Sequence, residues 1–103
     1  LIQVFLNLVI NAIEAVPANG QLNIAVYPED EQVAVSFTNN GPIIPKAELP
    51  YIFDPFFTTK PKGSGLGLWV SHSLVQYHAG SLTVENVGKQ QGVTFTVKLP
   101  ATS

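Results

Sequence analysis

The 103-residue chain has no cysteine, no methionine and no arginine. Without cysteine it has no disulfide framework, no thiolate nucleophile and no cysteine-based zinc site, and the redox compartment leaves no mark on it. With no arginine, five lysines face seven acids and the formal charge is -2. A nucleic-acid binder carries a basic surplus and arginine forks, so no nucleic-acid partner is expected. Charge is sparse at 12%, while 46% of the residues are hydrophobic, which excludes intrinsic disorder. Long apolar runs are also missing. The stretch from Leu1 to Val16 is broken by Gln3, Asn7, Asn11 and Glu14. It is too short and too polar for a membrane span and lacks the charged start of a signal peptide. The chain opens on Leu1 in mid-pattern, so a piece of a longer protein is expected. One domain fits this length, burying roughly 65% of the surface of the unfolded chain.

Apolar spacing predicts a helix from Leu1 to Val16, stopped by Pro17, Asn19 and Gly20. Two alternating runs follow. Leu22, Ile24 and Val26 share one face, and Val33, Val35 and Phe37 share another. With Pro28-Glu29-Asp30-Glu31 between them they predict a strand hairpin. From Asn39 to Gly67 no periodicity survives, and the segment is dense in proline and glycine. A structureless stretch of that length in a compact domain is usually functional. A second helix is predicted from Leu66 to His78, with Gly80 as its C-terminal cap. Strands from Ser81 to Val87 and Val93 to Leu99 flank the turn Gly88 to Gly92. This order predicts an α+β two-layer sandwich, with helices on one face of a largely antiparallel sheet.

The first helix carries polar residues where its apolar surroundings make them unexpected. Gln3, Asn7, Asn11 and Glu14 fall in one narrow stripe at helical spacing. Asparagine is a poor helix former, and buried amides need partners. The stripe is therefore expected to line a polar cavity, on a helix buried on most sides. Amide oxygens and a carboxylate in a row suit a hard cation such as Mg²⁺. A second signal is Gly63-Ser64-Gly65-Leu66-Gly67, running straight into the second helix. Bare backbone N–H groups at a helix N-terminus can cradle a phosphate, and Lys60 and Lys62 lie just upstream as counter-charges. Such strings also mark plain flexible turns. No Gly-Lys-Ser/Thr follows and no strand of a βαβ unit precedes, so neither a Walker A loop nor a dinucleotide fingerprint is present.

Four boxes then carry a family resemblance. Leu6-Asn7-Leu8-Val9-Ile10-Asn11-Ala12-Ile13-Glu14-Ala15 resembles the N box of sensor histidine kinases. Asn39-Asn40-Gly41-Pro42 resembles their first glycine box, and Phe53-Asp54-Pro55-Phe56-Phe57-Thr58-Thr59-Lys60 their F box. Gly63-Ser64-Gly65-Leu66-Gly67-Leu68 resembles the second glycine box, and Gly92-Val93-Thr94-Phe95 the closing strand motif. The order is right and the match spans almost the whole chain. The wider group is the GHKL ATPase superfamily, which includes DNA gyrase, heat-shock chaperones and mismatch-repair proteins.

The resemblance implies the Bergerat ATP-binding fold, an α/β sandwich, here N-terminally truncated. The helix and strand that usually precede the N box, and the dimerising helix pair with the phospho-accepting histidine, are expected to be missing from this piece. It implies that Asn11 ligates Mg²⁺, that Asn7 sits by the phosphates, and that Glu14 positions groups or serves as a general base. Residues 43–67 would be a lid over ATP. Gly65 and Gly67 would present backbone to the phosphates, Thr94 would lie near the adenine pocket, and Gly41, Lys60, Gly63 and Leu66 would complete the nucleotide contacts. In the family the first glycine box reads Asp-x-Gly-x-Gly, and its Asp contacts the adenine amino group. Here Asn39 replaces that Asp and Ile43 replaces the second Gly.

The expected function is therefore the ATP-binding catalytic domain of a two-component sensor histidine kinase. The γ-phosphoryl of Mg·ATP would go to a histidine on a separate dimerisation and phosphoacceptor domain, with a response regulator downstream. A cytoplasmic location is expected, with the parent free to be anchored in a membrane. The alternative reading is a degenerate nucleotide-binding domain, or a regulatory module using its phenylalanine-rich loop as a contact surface. Phe53, Phe56 and Phe57 are expected to anchor that loop to the domain or to a partner. His72 and His78, six apart on the second helix, are expected to be surface or packing residues, and Trp69 a core or interface residue. Glu29-Asp30-Glu31 is expected to be a solvated turn.

Overall fold

The computed structural model describes residues 2–15, 20–54, 67–89 and 91–101 and, within the first helix, the side chains of residues 4–10. The elements are α1 (Ile2–Ala15), β1 (Leu22–Glu29), β2 (Gln32–Pro42), a 3₁₀ turn (Leu49–Tyr51), α2 (Gly67–Tyr77), β3 (Ser81–Asn86) and β4 (Gln91–Pro100). The four strands form one sheet in the order β1-β2-β4-β3. Every neighbouring pair is antiparallel. Both helices lie on one face, giving the two-layer α+β architecture expected from the alternation of periods. No helix among the described residues is long and apolar enough to cross a membrane.

Strand alternation assigns the two sheet faces. Phe37 of β2 stands opposite Phe95 of β4, which stands opposite Val84 of β3. Phe37, Phe95, Val93, Val97 and Leu82 are buried together with Val4 and Leu8 of α1 and Val75 of α2. The Phe5 and Phe37 rings, 5.9 Å apart, join α1 to β2. The other face carries the small and polar residues Ser36, Thr38, Thr94 and Thr96, paired in register.

Three local expectations are corrected. The hairpin turn is two residues, Asp30 and Glu31, with Asp30 at a left-handed φ of 55°. Glu29 lies in β1 and pairs with Lys98 at 3.0 Å, a surface ion pair worth about 0–1 kcal/mol. Second, β2 does not stop before Asn39. It continues to Pro42, with an irregular register between those residues. Asn39 pairs with Leu22 on one side and Val93 on the other, and this two-sided ladder holds the strand where apolar alternation has lapsed. Third, α1 is not buried on most sides. Leu6 and Ile10 are 55% and 52% exposed, because α1 packs on β2 and α2 along a single stripe. Ile24 and Val26 on the edge strand β1 are also exposed.

The end of α2 gives a fourth correction and a prediction. The left-handed residue there is Ala79, at φ 62°, and not Gly80. The Gly80 N–H donates to the Val75 carbonyl at 2.9 Å and the Ala79 N–H to the Gln76 carbonyl at 3.0 Å, which together make a Schellman cap. A left-handed alanine costs about 1 kcal/mol relative to an unstrained site. Ala79→Gly is expected to stabilise the chain by about that amount. Thermal unfolding measures it, and an unchanged midpoint contradicts the assignment.

Candidate functional site

The site is built at the end of the sheet where β2, β4 and β3 bring three residues into one row. Asn39 pairs with Val93, and Val93 pairs with Asn86. All three lie on the helix-covered face, by alternation from Phe37, Phe95 and Val84. Asn39 is 3% exposed, a buried amide at the edge of an apolar core. Its Oδ1 accepts the Gly41 N–H at 2.8 Å, a bond that shapes the glycine box around its own first residue. The neighbouring Asn40 turns the other way, and its Oδ1 accepts the Gln21 N–H at 2.9 Å, tying the box to the start of β1. The asparagine pair thus divides its work. One amide faces inward beside Val93, and the other fastens the strand edge.

Beyond Pro42 the chain reaches β3. Asn86 Oδ1 accepts the Ile44 N–H at 2.9 Å, and Asn86 Nδ2 donates to the Ile44 carbonyl at 2.8 Å. Ile44 packs against the core. Further on, Ile52 is buried, and Phe53 stacks on His72 at 4.9 Å and meets Phe95 edge-on at 6.4 Å. The start of the F box is therefore anchored to the domain itself, and His72 is a packing residue. His78 is exposed, with its ring edge-on to Tyr77. Trp69 is partly exposed on the first turn of α2.

On α1, Asn7 is half-buried while its apolar neighbours Leu6 and Ile10 are exposed. An amide less exposed than the leucine and isoleucine beside it agrees with a polar stripe turned toward the domain. Asn11 and Glu14 continue that stripe along the helix backbone, and their side chains lie outside the description. Gly67 opens α2, while Lys60, Gly63, Gly65 and Leu66, with Phe56 and Phe57, lie outside the described residues. Thr94 is not brought to the row. It occupies the opposite face of the sheet, where its hydroxyl and that of Thr38 are 2.8 Å apart. Val93 takes the place beside Asn39, because the period of two that makes Phe95 and Val97 core residues turns Val93 inward and Thr94 outward. Asn86 and Ile44 carry no motif of their own and were legible only through strand pairing.

The whole chain, residues 1–103, matches the family described as histidine kinase-, DNA gyrase B-, and HSP90-like ATPase. The chain belongs to that family. Within this ATPase family its similarity runs to the kinase branch. It is 41% identical over 100 residues to the sensor histidine kinase ZraS of Escherichia coli (strain K12), a match covering 97% of this chain and 21% of the relative. The chain thus spans about a fifth of the length of that curated relative. The solved catalytic domain of the histidine kinase ThkA superposes with a TM-score of 0.85 at 42% identity, over 96% of this chain and 64% of that one. ThkA has also been solved in complex with the response regulator protein TrrA, at 40% identity, TM-score 0.80 and coverage of 97% of this chain and 28% of that one. Full-length ShkA, solved in complex with AMPPNP, superposes with a TM-score of 0.84 at 27% identity, over 95% of this chain and 20% of that one. This is an ATP-binding catalytic domain of the histidine-kinase type with the α+β Bergerat fold.

Proposed function

We propose that this ATPase-family domain donates the γ-phosphoryl group of Mg·ATP to a histidine on a separate dimerisation and phosphoacceptor domain, ahead of a response regulator, on the cytoplasmic side of any membrane that anchors the parent. The observation that carries the reading is the buried Asn39 amide beside Val93, at the end of the face on which the Asn7 helix packs. A buried amide next to an apolar floor fits a flat heterocycle with a hydrogen-bonding edge. AMPPNP bound by a structural relative supports an adenine nucleotide there.

The donor set on α1 fits Mg²⁺. Amide oxygens are hard ligands, and Asn7 and Asn11 stand one helical turn apart. Asn11 would hold the ion together with the nucleotide phosphates. When bound, it supplies charge neutralisation along the phosphate chain. Asn7 sits by the phosphates and Glu14 orients groups at the far end of the stripe. The second glycine box, Gly63 to Gly67, would offer backbone N–H groups to the phosphates, with Lys60 as a counter-charge, and Gly41 lets the backbone approach the base. Most of the catalysis in such a transfer is positioning and charge neutralisation.

Two measurements test this. Calorimetric titration with ATP is expected to show binding that strengthens when Mg²⁺ is present. Absence of heat under both conditions, in folded protein, removes the proposal. Incubation with labelled Mg·ATP is expected to leave the chain itself unlabelled, because His72 is packed against Phe53 and neither histidine stands in an acceptor motif. Acid-labile phosphate on His72 or His78 contradicts the assignment of a separate acceptor.

A further inference from the structure

We propose that Asn86 is a positioning residue for base binding, clamping Ile44 and so fixing the wall that closes the Asn39–Val93 row. The inference rests on the nucleotide reading above. Asn86 stands at the end of β3, next to Val93 across the ladder, and Val93 stands next to Asn39. Strand β4 lies between β2 and β3, so the chain leaving β2 at Pro42 must pass the end of β4 to reach Asn86. It does so within two residues. Ile44 is then gripped at both backbone groups by one side chain, at 2.9 Å and 2.8 Å, across a sequence separation of 42.

A primary amide is the side-chain group that copies the acceptor and donor of a peptide unit. Asn86 therefore holds Ile44 as a paired strand would, at a point where no fifth strand runs alongside β3 among the described residues. The fork fixes both the position and the orientation of the Ile44 backbone. That in turn holds the Ile44 side chain against the core and aims the chain that leads on to Ile52 and Phe53. The residue before it, Ile43, stands where the family has glycine. A clamp immediately downstream gives this chain a fixed geometry at a position where the family uses a freely rotating residue.

The chemistry separates positioning from space-filling. Asn86→Asp keeps the volume and the acceptor but loses the donor, and it sets a carboxylate oxygen against the Ile44 carbonyl. Asn86→Ala removes both bonds. If Asn86 only fills space, the aspartate variant is benign and the alanine variant is the damaging one. If it positions Ile44, both variants loosen the clamp. The experiment uses the 103-residue chain with ADP and inorganic tripolyphosphate as separate probes. Exchange of the Ile44 amide is measured by NMR in the absence of ligand. Both variants are expected to bind ADP about tenfold more weakly, with tripolyphosphate affinity unchanged, and Asn86→Ala to exchange the Ile44 amide faster than the parent. Should Asn86→Ala fail to fold, the near-isosteric Asn86→Asp carries the comparison. Unchanged ADP affinity, or equal losses for ADP and tripolyphosphate, overturns the positioning role. A parent chain that binds neither probe overturns the nucleotide reading instead, and Ile44 exchange still reports on the clamp.

Discussion

Asn39→Asp is expected to bind ADP about tenfold more tightly than the parent chain and to discriminate more strongly against GDP. A carboxylate at this position accepts only, and it would hold the adenine amino group by a charge-assisted bond. The neutral amide keeps an acceptor without the charge, and the difference is about 1–1.5 kcal/mol, close to tenfold in affinity. The amide also brings a donor. It can give a hydrogen to guanine O6 and accept one from N1, so the parent chain is expected to bind adenine nucleotides weakly and to separate them poorly from guanine nucleotides. One lone pair of Oδ1 already accepts the Gly41 N–H, which leaves the NH₂ as the stronger unspent group toward a base. There is a linked effect on stability. At 3% exposure an ionised carboxylate, with the Gly41 N–H as its one known donor, is costly to bury. Asn39→Asp should therefore melt lower without ligand and gain more on adding ADP. Calorimetry with ADP and GDP on both proteins measures the first effect and thermal scans the second. Tight, selective ADP binding by the parent, unchanged in Asn39→Asp, means that this residue does not read the base.

A large loss of stability is expected at Gly80, outside every box. A Cβ built there would lie 2.3 Å from the Lys98 carbonyl oxygen and 2.8 Å from Leu99 Cδ2. The oxygen belongs to the backbone of β4, which is pinned between β2 and β3 and cannot swing aside as a side-chain end can. Gly80→Ala is thus expected to cost about 3 kcal/mol. That is a large share of the roughly 5–15 kcal/mol that holds a domain of this size together. The unfolding midpoint should fall by more than about 10 °C. If Gly80 were the left-handed cap, the loss would be about 1 kcal/mol and Ala79→Gly would gain nothing. Thermal scans on the two variants side by side decide between cap and close approach.

Much of this could be read along the chain. The helical spacing of Val4 and Leu8, the alternation of Val33, Val35 and Phe37, and that of Val93, Phe95 and Val97 were enough for two helices and two hairpins. The four boxes pointed to the family because each is a run of residues whose order survives outside any fold. The inward side of β4 was legible as well. The motif points to Thr94, while the alternation makes Val93 the inward residue.

The amino-acid sequence by itself determined the elements, their order and the family, because hydrophobic periods and short motifs act over a few residues. The tertiary structure alone decided which residues meet. The order β1-β2-β4-β3 places Asn86 next to Val93 and Val93 next to Asn39. It also carries the chain beyond Pro42 across to Asn86 and brings the Lys98 carbonyl against Gly80. Apart from the hairpin neighbours Asn86 and Val93, those contacts join residues far apart along the chain. A hydrogen-bond fork or a steric limit at that distance leaves no period or motif behind, since it depends on how the strands are ordered and not on which residues are neighbours in sequence.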